Sequence, residues 1–451
     1  MNKDEPMNTA RTRGRWAAAP VVSVVAVALA VVLGLCQAPD AQAAGRSRAV
    51  SGWFGYWTST SDVLSVARRG GTALGEANIF WWEYRGQGAT VCTSTLGCPT
   101  TSATPWASSD LLRTARGLQR RGVLVYATHT DLDSAMAGSL SDYLATPRNR
   151  RTIAQRLTGW AVRAGVDGVD LDWENFAFND GAASWRRTRP RLTDTVRRLG
   201  KKLHAHKLRL SVTVPGGYEP FSDNGTPKMG GGYSVYDWKA LAPHIDRLRL
   251  MTYDYSWDRP GPIGPNDWAG RVVRSAVAQL GRAQRKKIYV GLHQYGKSWY
   301  LRDSADDYVT VGKCDDRWVP DEADAVALSP TEARSVARSY GQRPRFDRTS
   351  REFTFTYTKT VNGHWYNSKD RRRNRECQVR KQVWFGGAAT AAGRMQLVRR
   401  YRIGGIAVWN LASLDGRFFP AVRPYLPAKA ANKNKKKPSG KKRTQRIIAA
   451  R

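Results

Sequence analysis

Histidine and cysteine are scarce in this 451-residue chain, at six and five, and no two cysteines stand in C-x-x-C spacing. Zinc sites are built from such ligands at short spacings, so neither a metal nor any other cofactor is expected. The H-x-H of His204 and His206 follows a basic helical stretch and reads as a solvated face. No G-x-G-x-x-G turn follows the first apolar segment, which argues against an open dinucleotide-binding sheet. Acids are outnumbered, 37 Asp and Glu against 73 Lys and Arg, for a net charge of +36. Such an excess bears on solubility and anionic partners, not on fold. Ten of the cations, with no acid and no aromatic, fall in Lys429–Arg451. A nucleic-acid binder would interleave aromatics with its basic run, so no specific nucleic acid is expected.

What is present begins with the N-terminus. Arg11, Arg13 and Arg15 precede an apolar run from Val21 to Leu35, and Ala41-Gln42-Ala43 follows. That order is a secretory signal, predicted over residues 1–43. A retained membrane anchor is the alternative. Either places the remainder outside the cytoplasm, secreted or held at the cell envelope. Four cysteines then remain, Cys92, Cys98, Cys314 and Cys377, an even number that suggests two disulfides. Cys92–Cys98 with Cys314–Cys377 closes the shortest loops.

Beyond the leader, short apolar segments alternate with longer amphipathic ones. Eight read as strands: Gly52–Trp57, Ala77–Tyr84, Val123–Thr128, Gly168–Trp173, Leu208–Val214, Arg247–Tyr253, Lys287–Leu292 and Gly405–Asn410. Between them, Arg151–Ala164, Trp185–His204 and Trp268–Arg285 carry apolar residues at helical spacing. Eight strand–helix repeats imply an α/β fold, a (β/α)8 TIM barrel, over residues 50–427. The long gap before the last strand, about 301–383, is expected to be a small α+β insertion, with a helix at Pro330–Tyr340 and strand at Glu352–Lys359 and at Trp365-Tyr366. Residues 428–451 are expected to be a disordered basic tail, able to touch anionic cell-wall polymer or membrane. A monomer is expected.

The segment that carries chemistry is Asp167-Gly168-Val169-Asp170-Leu171-Asp172-Trp173-Glu174. Period-two alternation points Asp170, Asp172 and Glu174 to one face and Val169, Leu171 and Trp173 to the other. Three acids on one face of a buried strand cannot all ionise cheaply, so at least one should hold a proton near neutral pH. A carboxyl in that state is what general acid catalysis needs.

This octapeptide resembles the D-G-x-D-x-D-x-E signature of glycoside hydrolase family 18, the chitinases and their relatives. Gly55-Tyr56 on the first strand, Met251-Thr252-Tyr253-Asp254 on the sixth and Trp409 on the eighth are similar to that family at matching places. The resemblance implies a (β/α)8 hydrolase that cleaves β-1,4-linked N-acetylglucosamine polysaccharide, chitin or peptidoglycan, by substrate-assisted retaining catalysis. It makes Glu174 the acid/base, with Asp172 and Asp170 behind it and Tyr253 on the acetamido carbonyl. Tyr56, Met251, Asp254 and Trp409 would bind substrate. The stretch from Met251 through Pro265 and Val383-Trp384-Phe385 is similar to the spore-cortex-lytic branch. Two positions depart from it: Gly386-Gly387 stands where an acid is usual, and His293 where a proline is. A catalytically silent, lectin-like barrel is the alternative function, but such members lose the terminal glutamate that this chain keeps. Trp81 and Trp82 are read as packing residues.

Overall fold

The computed structural model describes residues 49–85, 88–91, 107–132, 138–218, 232–303, 308–311, 318–365 and 375–426. Parallel strands β1 (Val50–Phe54), β2 (Glu76–Arg85), β3 (Leu124–Thr130), β4 (Gly168–Asp172), β5 (Arg209–Pro215), β6 (Arg247–Met251), β7 (Ile288–His293) and β8 (Gly405–Trp409) follow one another around a sheet. β1 pairs with β2 on one side and with β8 on the other, which closes it into a barrel. Each strand lies within a few residues of a segment read from the sequence. A short strand, Gly88–Val91, pairs antiparallel with the end of β2 and stands apart from the ring.

The alternation in β4 sorts its side chains. Val169 and Leu171 join Leu210, Val212, Leu248 and Leu250 in the large apolar cluster with the helices, each fully buried aliphatic contributing about 1.5–3 kcal/mol. Local signals set the helix ends. Before Pro147–Ala164, the Thr146 hydroxyl accepts from the Asn149 amide at 3.2 Å, Pro147 opens the first turn, and Gly165 ends the helix at φ 66°. Trp81 and Trp82 are fully buried, as packing residues should be.

Inside the barrel the layer is polar. Arg249, 0% exposed, donates to Glu76 Oε2 at 3.0 Å, to Asp170 Oδ1 at 3.2 Å and to the Ser51 and Ser211 hydroxyls, with its guanidinium 4.8 Å from the Tyr126 ring centre. A charge so deep persists only when paired and fully hydrogen-bonded. Gly45–Arg451 is a compact unit of its own, and its main apolar cluster runs from Ala49 to Val422.

The insertion begins earlier than expected. Gly296–Tyr300 already belongs to it, pairing antiparallel with Arg375–Phe385, which pairs in turn with Glu352–Trp365. Trp318–Pro320 and Ala325–Leu328 flank these three strands. Glu352–Trp365 is one continuous strand rather than two pieces, because residue after residue finds a partner on Arg375–Phe385. The helix Pro330–Ser339 starts with a reciprocal cap between Ser329 and Glu332 and packs Ala333 and Ala337 on Phe355, Val383 and Phe385. Cys377 is buried and disulfide-bonded; Cys92, Cys98 and Cys314 lie outside the described residues. So do the expected signal and the basic tail.

Candidate active site

The acids gather at the C-terminal mouth of the barrel, each held differently. Asp170 is the deepest. Its Oδ2 accepts from the Trp53 indole at 2.9 Å and from Thr128 at 3.3 Å, while Oδ1 accepts from Thr213 at 3.1 Å and from Arg249 at 3.2 Å. Both oxygens of Asp170 are thus engaged, with Arg249 as its buried cationic partner.

Asp172 lies one layer up, 4% exposed, in register with Thr130 and Thr213. Its Oδ1 has no hydrogen-bond partner among the described residues. Burial first, then Glu174, Asp170 and Asp131, push its pKa well above the ordinary range, against a smaller opposing pull from Arg249. Burial and the surrounding acids thus favour the neutral form of Asp172.

Glu174 is not on the strand, which ends at Asp172. It takes near-helical backbone angles, φ −102° and ψ −24°, just ahead of a short helix, Asn175–Phe178. Alternation along β4 therefore does not aim this side chain. Asp131, just past β3 and 43 residues earlier in the chain, fixes the backbone that carries it. The Asp131 carboxylate accepts from the Glu174 amide at 2.6 Å and from the Asn175 amide at 3.3 Å, and Asn175 returns a side-chain bond to the Asp131 carbonyl. The Tyr236 hydroxyl donates to the Trp173 carbonyl, and the Trp173 indole donates to His129 Nδ1 at 2.7 Å. Burial, with Arg156 adding to it, lowers His129 to about 3, which leaves a neutral ring able to accept that bond. Glu174 itself is half-buried. Burial, then the charge of Asp254, raises its pKa to about 7, where a group gives up and regains a proton with equal ease near neutrality. Asp131 is raised to about 8 by burial, partly offset by the two amides.

Tyr253 and Asp254 also lie past their strand, β6 ending at Met251. Asp254 turns the chain at φ 55°, accepts from the Tyr295 hydroxyl at 2.7 Å and pairs with Lys297 at 3.2 Å. Burial, Asp172, Glu174 and Asp254 all push the Tyr253 phenol up. That hydroxyl thus lies within the field of the acids and stays a hydrogen-bond donor. Met251 is buried at the strand end.

The remaining matched residues form an aromatic wall. Trp409 ends β8 and stacks on Phe80 at 5.1 Å; Phe80 meets Trp57 at 6.3 Å, and Trp57 meets Tyr56 edge-on at 4.8 Å. Tyr56 is beyond β1 rather than on it, because the chain turns at Gly55, where the Trp57 ring folds back so closely that an added Cβ would lie 2.3 Å from it. Trp57 and Trp257, on loops after β1 and β6, are 52% and 65% exposed. The expected site residues thus fall into two groups. Asp170, Asp172, Glu174, Tyr253 and Asp254 form one electrostatic cluster. Tyr56 and Trp409 stand on the aromatic wall.

Asp131, Tyr236, Arg249, Trp53, Phe80 and Lys297 were missed. Only Asp131 left a trace in the sequence, an acid directly after the third strand. The two departures from the cortex-lytic pattern are neighbours here. A Cβ on Gly386 would lie 2.8 Å from the His293 carbonyl oxygen and 2.9 Å from its ring, so the buried histidine occupies the space a side chain at 386 would need.

The family model for glycosyl hydrolases family 18 matches residues 132–415. Over 407 residues the chain is 19% identical to an uncharacterized glycosylase, YvbX, of Bacillus subtilis, covering 89% of this chain and 98% of that protein. It is 25% identical over 269 residues to the cortical fragment-lytic enzyme of the same organism, covering 58% of this chain and 51% of that one. It likewise spans 58% of the sporulation-specific glycosylase YdhD at 23% identity over 65% of this chain. Among solved structures, a chitinase from Chromobacterium violaceum superposes with a TM-score of 0.61 at 20% identity, covering 84% of this chain and 98% of that one. The Bacillus cereus spore cortex-lytic enzyme SleL does so with 0.62 at 18%, covering 85% and 75%. At these identities the structural likeness speaks for the fold, a (β/α)8 barrel. The family match takes in β4 through β8, the acid cluster and the insertion, and with it the chain belongs to glycosyl hydrolase family 18.

Proposed function

We propose that this glycoside hydrolase cleaves β-1,4-linked N-acetylglucosamine-containing polysaccharide outside the cytoplasm, with Glu174 as acid and base in a substrate-assisted retaining reaction. The observation that carries the reading is Glu174, half-buried at the barrel mouth with a pKa raised to about 7, beside an Asp172 whose Oδ1 has no hydrogen-bond partner among the described residues. Glu174 protonates the glycosidic oxygen. The acetamido oxygen of the substrate closes on the anomeric carbon, and water, deprotonated by Glu174, reopens the ring with retention. Asp172 takes the acetamido N–H on its unpartnered oxygen and stabilises the positive charge that develops there, the proton it sheds passing to Asp170. Asp170 shares that proton with Asp172, its carboxyl held in place by Trp53, Thr128, Thr213 and Arg249. Tyr253 donates to the acetamido carbonyl oxygen. Trp409, stacked on Phe80, floors the distorted sugar, and Tyr56, Met251 and Asp254 border it. Effective concentrations of intramolecular nucleophiles supply much of the acceleration. Cys314 is the partner we assign to Cys377, and a segment at residues 1–43 the export signal.

Chitin oligomers and peptidoglycan offered side by side to the purified enzyme test this reading. New reducing ends with β-configured N-acetylglucosamine are expected from at least one. Products of inverted configuration would exclude the acetamido route, and no cleavage of either polymer would exclude the substrate class.

A further inference from the structure

An open cavity of about 470 Å³ lies at the opposite end of the barrel from the acids. Ala49 immediately precedes β1, Arg285 and Lys286 precede β7, and Gly404 precedes β8, so its lining marks the N-terminal ends of the strands. Arg285, Lys286, Arg399 and Arg402 contribute to that lining and no acid does. Some cations of this chain gather on carboxylates, as Arg150, Arg197 and Arg198 do on Asp194. Among the described residues none of the four cavity cations has such a partner; Lys286 reaches only the Ile403 carbonyl, at 3.4 Å. Arg402 moreover occupies a left-handed backbone position, φ 54°, at the end of the helix Ala388–Tyr401, where glycine is the unstrained choice.

Helix ends account for part of this. Arg399 lies in the last turn of Ala388–Tyr401, so the last carbonyls of that helix, the negative end of its dipole, face these charges. They offset the repulsion of four unpaired cations without filling the cavity between them. Phosphate oxygens would, through charge-assisted bonds to arginine and lysine. The chain enters the barrel at Ala49 and leaves the described region at Leu426, both lining residues. The sequence before Ala49 carries the apolar run Val21–Leu35 with arginines ahead of it, and the sequence after Leu426 carries ten cations and no acid. Unpaired cations flanked by an apolar run and a polybasic segment make the composition that reads a negatively charged lipid surface. We propose that the base of the barrel docks on an anionic phospholipid membrane, with lipid phosphate in this cavity and the catalytic mouth facing away.

The test uses Gly45–Arg451, which contains the whole core and lacks the apolar run, with vesicles of equal parts phosphatidylglycerol and phosphatidylcholine, or of phosphatidylcholine alone. Binding to the mixed vesicles only, weakened by salt, is expected. Arg399→Gln with Arg402→Gly should weaken it about thirtyfold, at about fivefold per charge near the surface. The same loss should appear with residues 428–451 deleted, and melting temperature, unchanged or raised by the glycine, shows that the variant is folded. Equal binding by variant and parent in the tail-deleted background overturns the proposal, since binding then does not run through the cavity cations. Capture of a soluble glycerol-phosphate polymer without vesicle binding overturns it too, in favour of a wall polymer.

Discussion

Replacing Glu174 by Gln keeps the shape of the side chain and removes its proton and charge, so chemistry and stability respond in separable ways. Loss of a positioned acid costs about 10²–10⁴ in kcat, with KM near that of the wild type. For stability, the folded pKa of about 7 stands against an ordinary 4.5. Below pH 4.5 the carboxyl is protonated in folded and unfolded chains alike and the effect is nil. Between 4.5 and 7 the unfolded chain releases the proton while the folded chain keeps it, so wild-type stability falls as pH rises through that window. Above 7 the loss levels off at no more than about 3 kcal/mol. Glutamine has no such dependence. The variant should melt up to roughly 5 °C above wild type at pH 8.5 and together with it near pH 4, by calorimetry on both proteins. A melting difference constant across pH, or a variant that hydrolyses at above about a tenth of the wild-type rate, refutes the assignment.

Four further outcomes follow from the same geometry. Wild-type kcat/KM should fall as pH rises past about 7, where Glu174 loses the proton it must donate, and an initial-rate profile from pH 5 to 9 would show it. Asp131→Ala removes the acceptor of the Glu174 and Asn175 amides and should lower kcat by up to about 10²-fold through misplacement alone, with KM little changed in steady-state kinetics. Arg249→Met leaves Asp170 buried without its cation and Glu76 with Arg247 alone, and should cost about 3–5 kcal/mol, read from the urea midpoint. Gly386→Ala should cost about 1–3 kcal/mol by overpacking, part of it recovered in a His293→Ala background; an unchanged midpoint for the single variant would show that the histidine yields.

The sequence alone determined the eight-strand rhythm, because buried parallel strands and amphipathic helices have different periods and cannot be mistaken for one another over eight repeats. It also determined the facing of Asp170 and Asp172, since a pleat alternates whatever the fold around it. Past each strand end the period stops informing. Glu174, Tyr56, Tyr253 and Asp254 all stand there; partners distant in the chain hold Glu174 and Asp254, with Asp131 on the Glu174 amide and Tyr295 and Lys297 on Asp254, while Trp57 folds over Gly55 beside Tyr56. Only closure of the barrel brought Arg249 to Asp170 and Glu76, 79 and 173 residues away. No local pattern announces such a pairing, because the cost of burying a charge is relieved by whichever opposite charge the fold delivers.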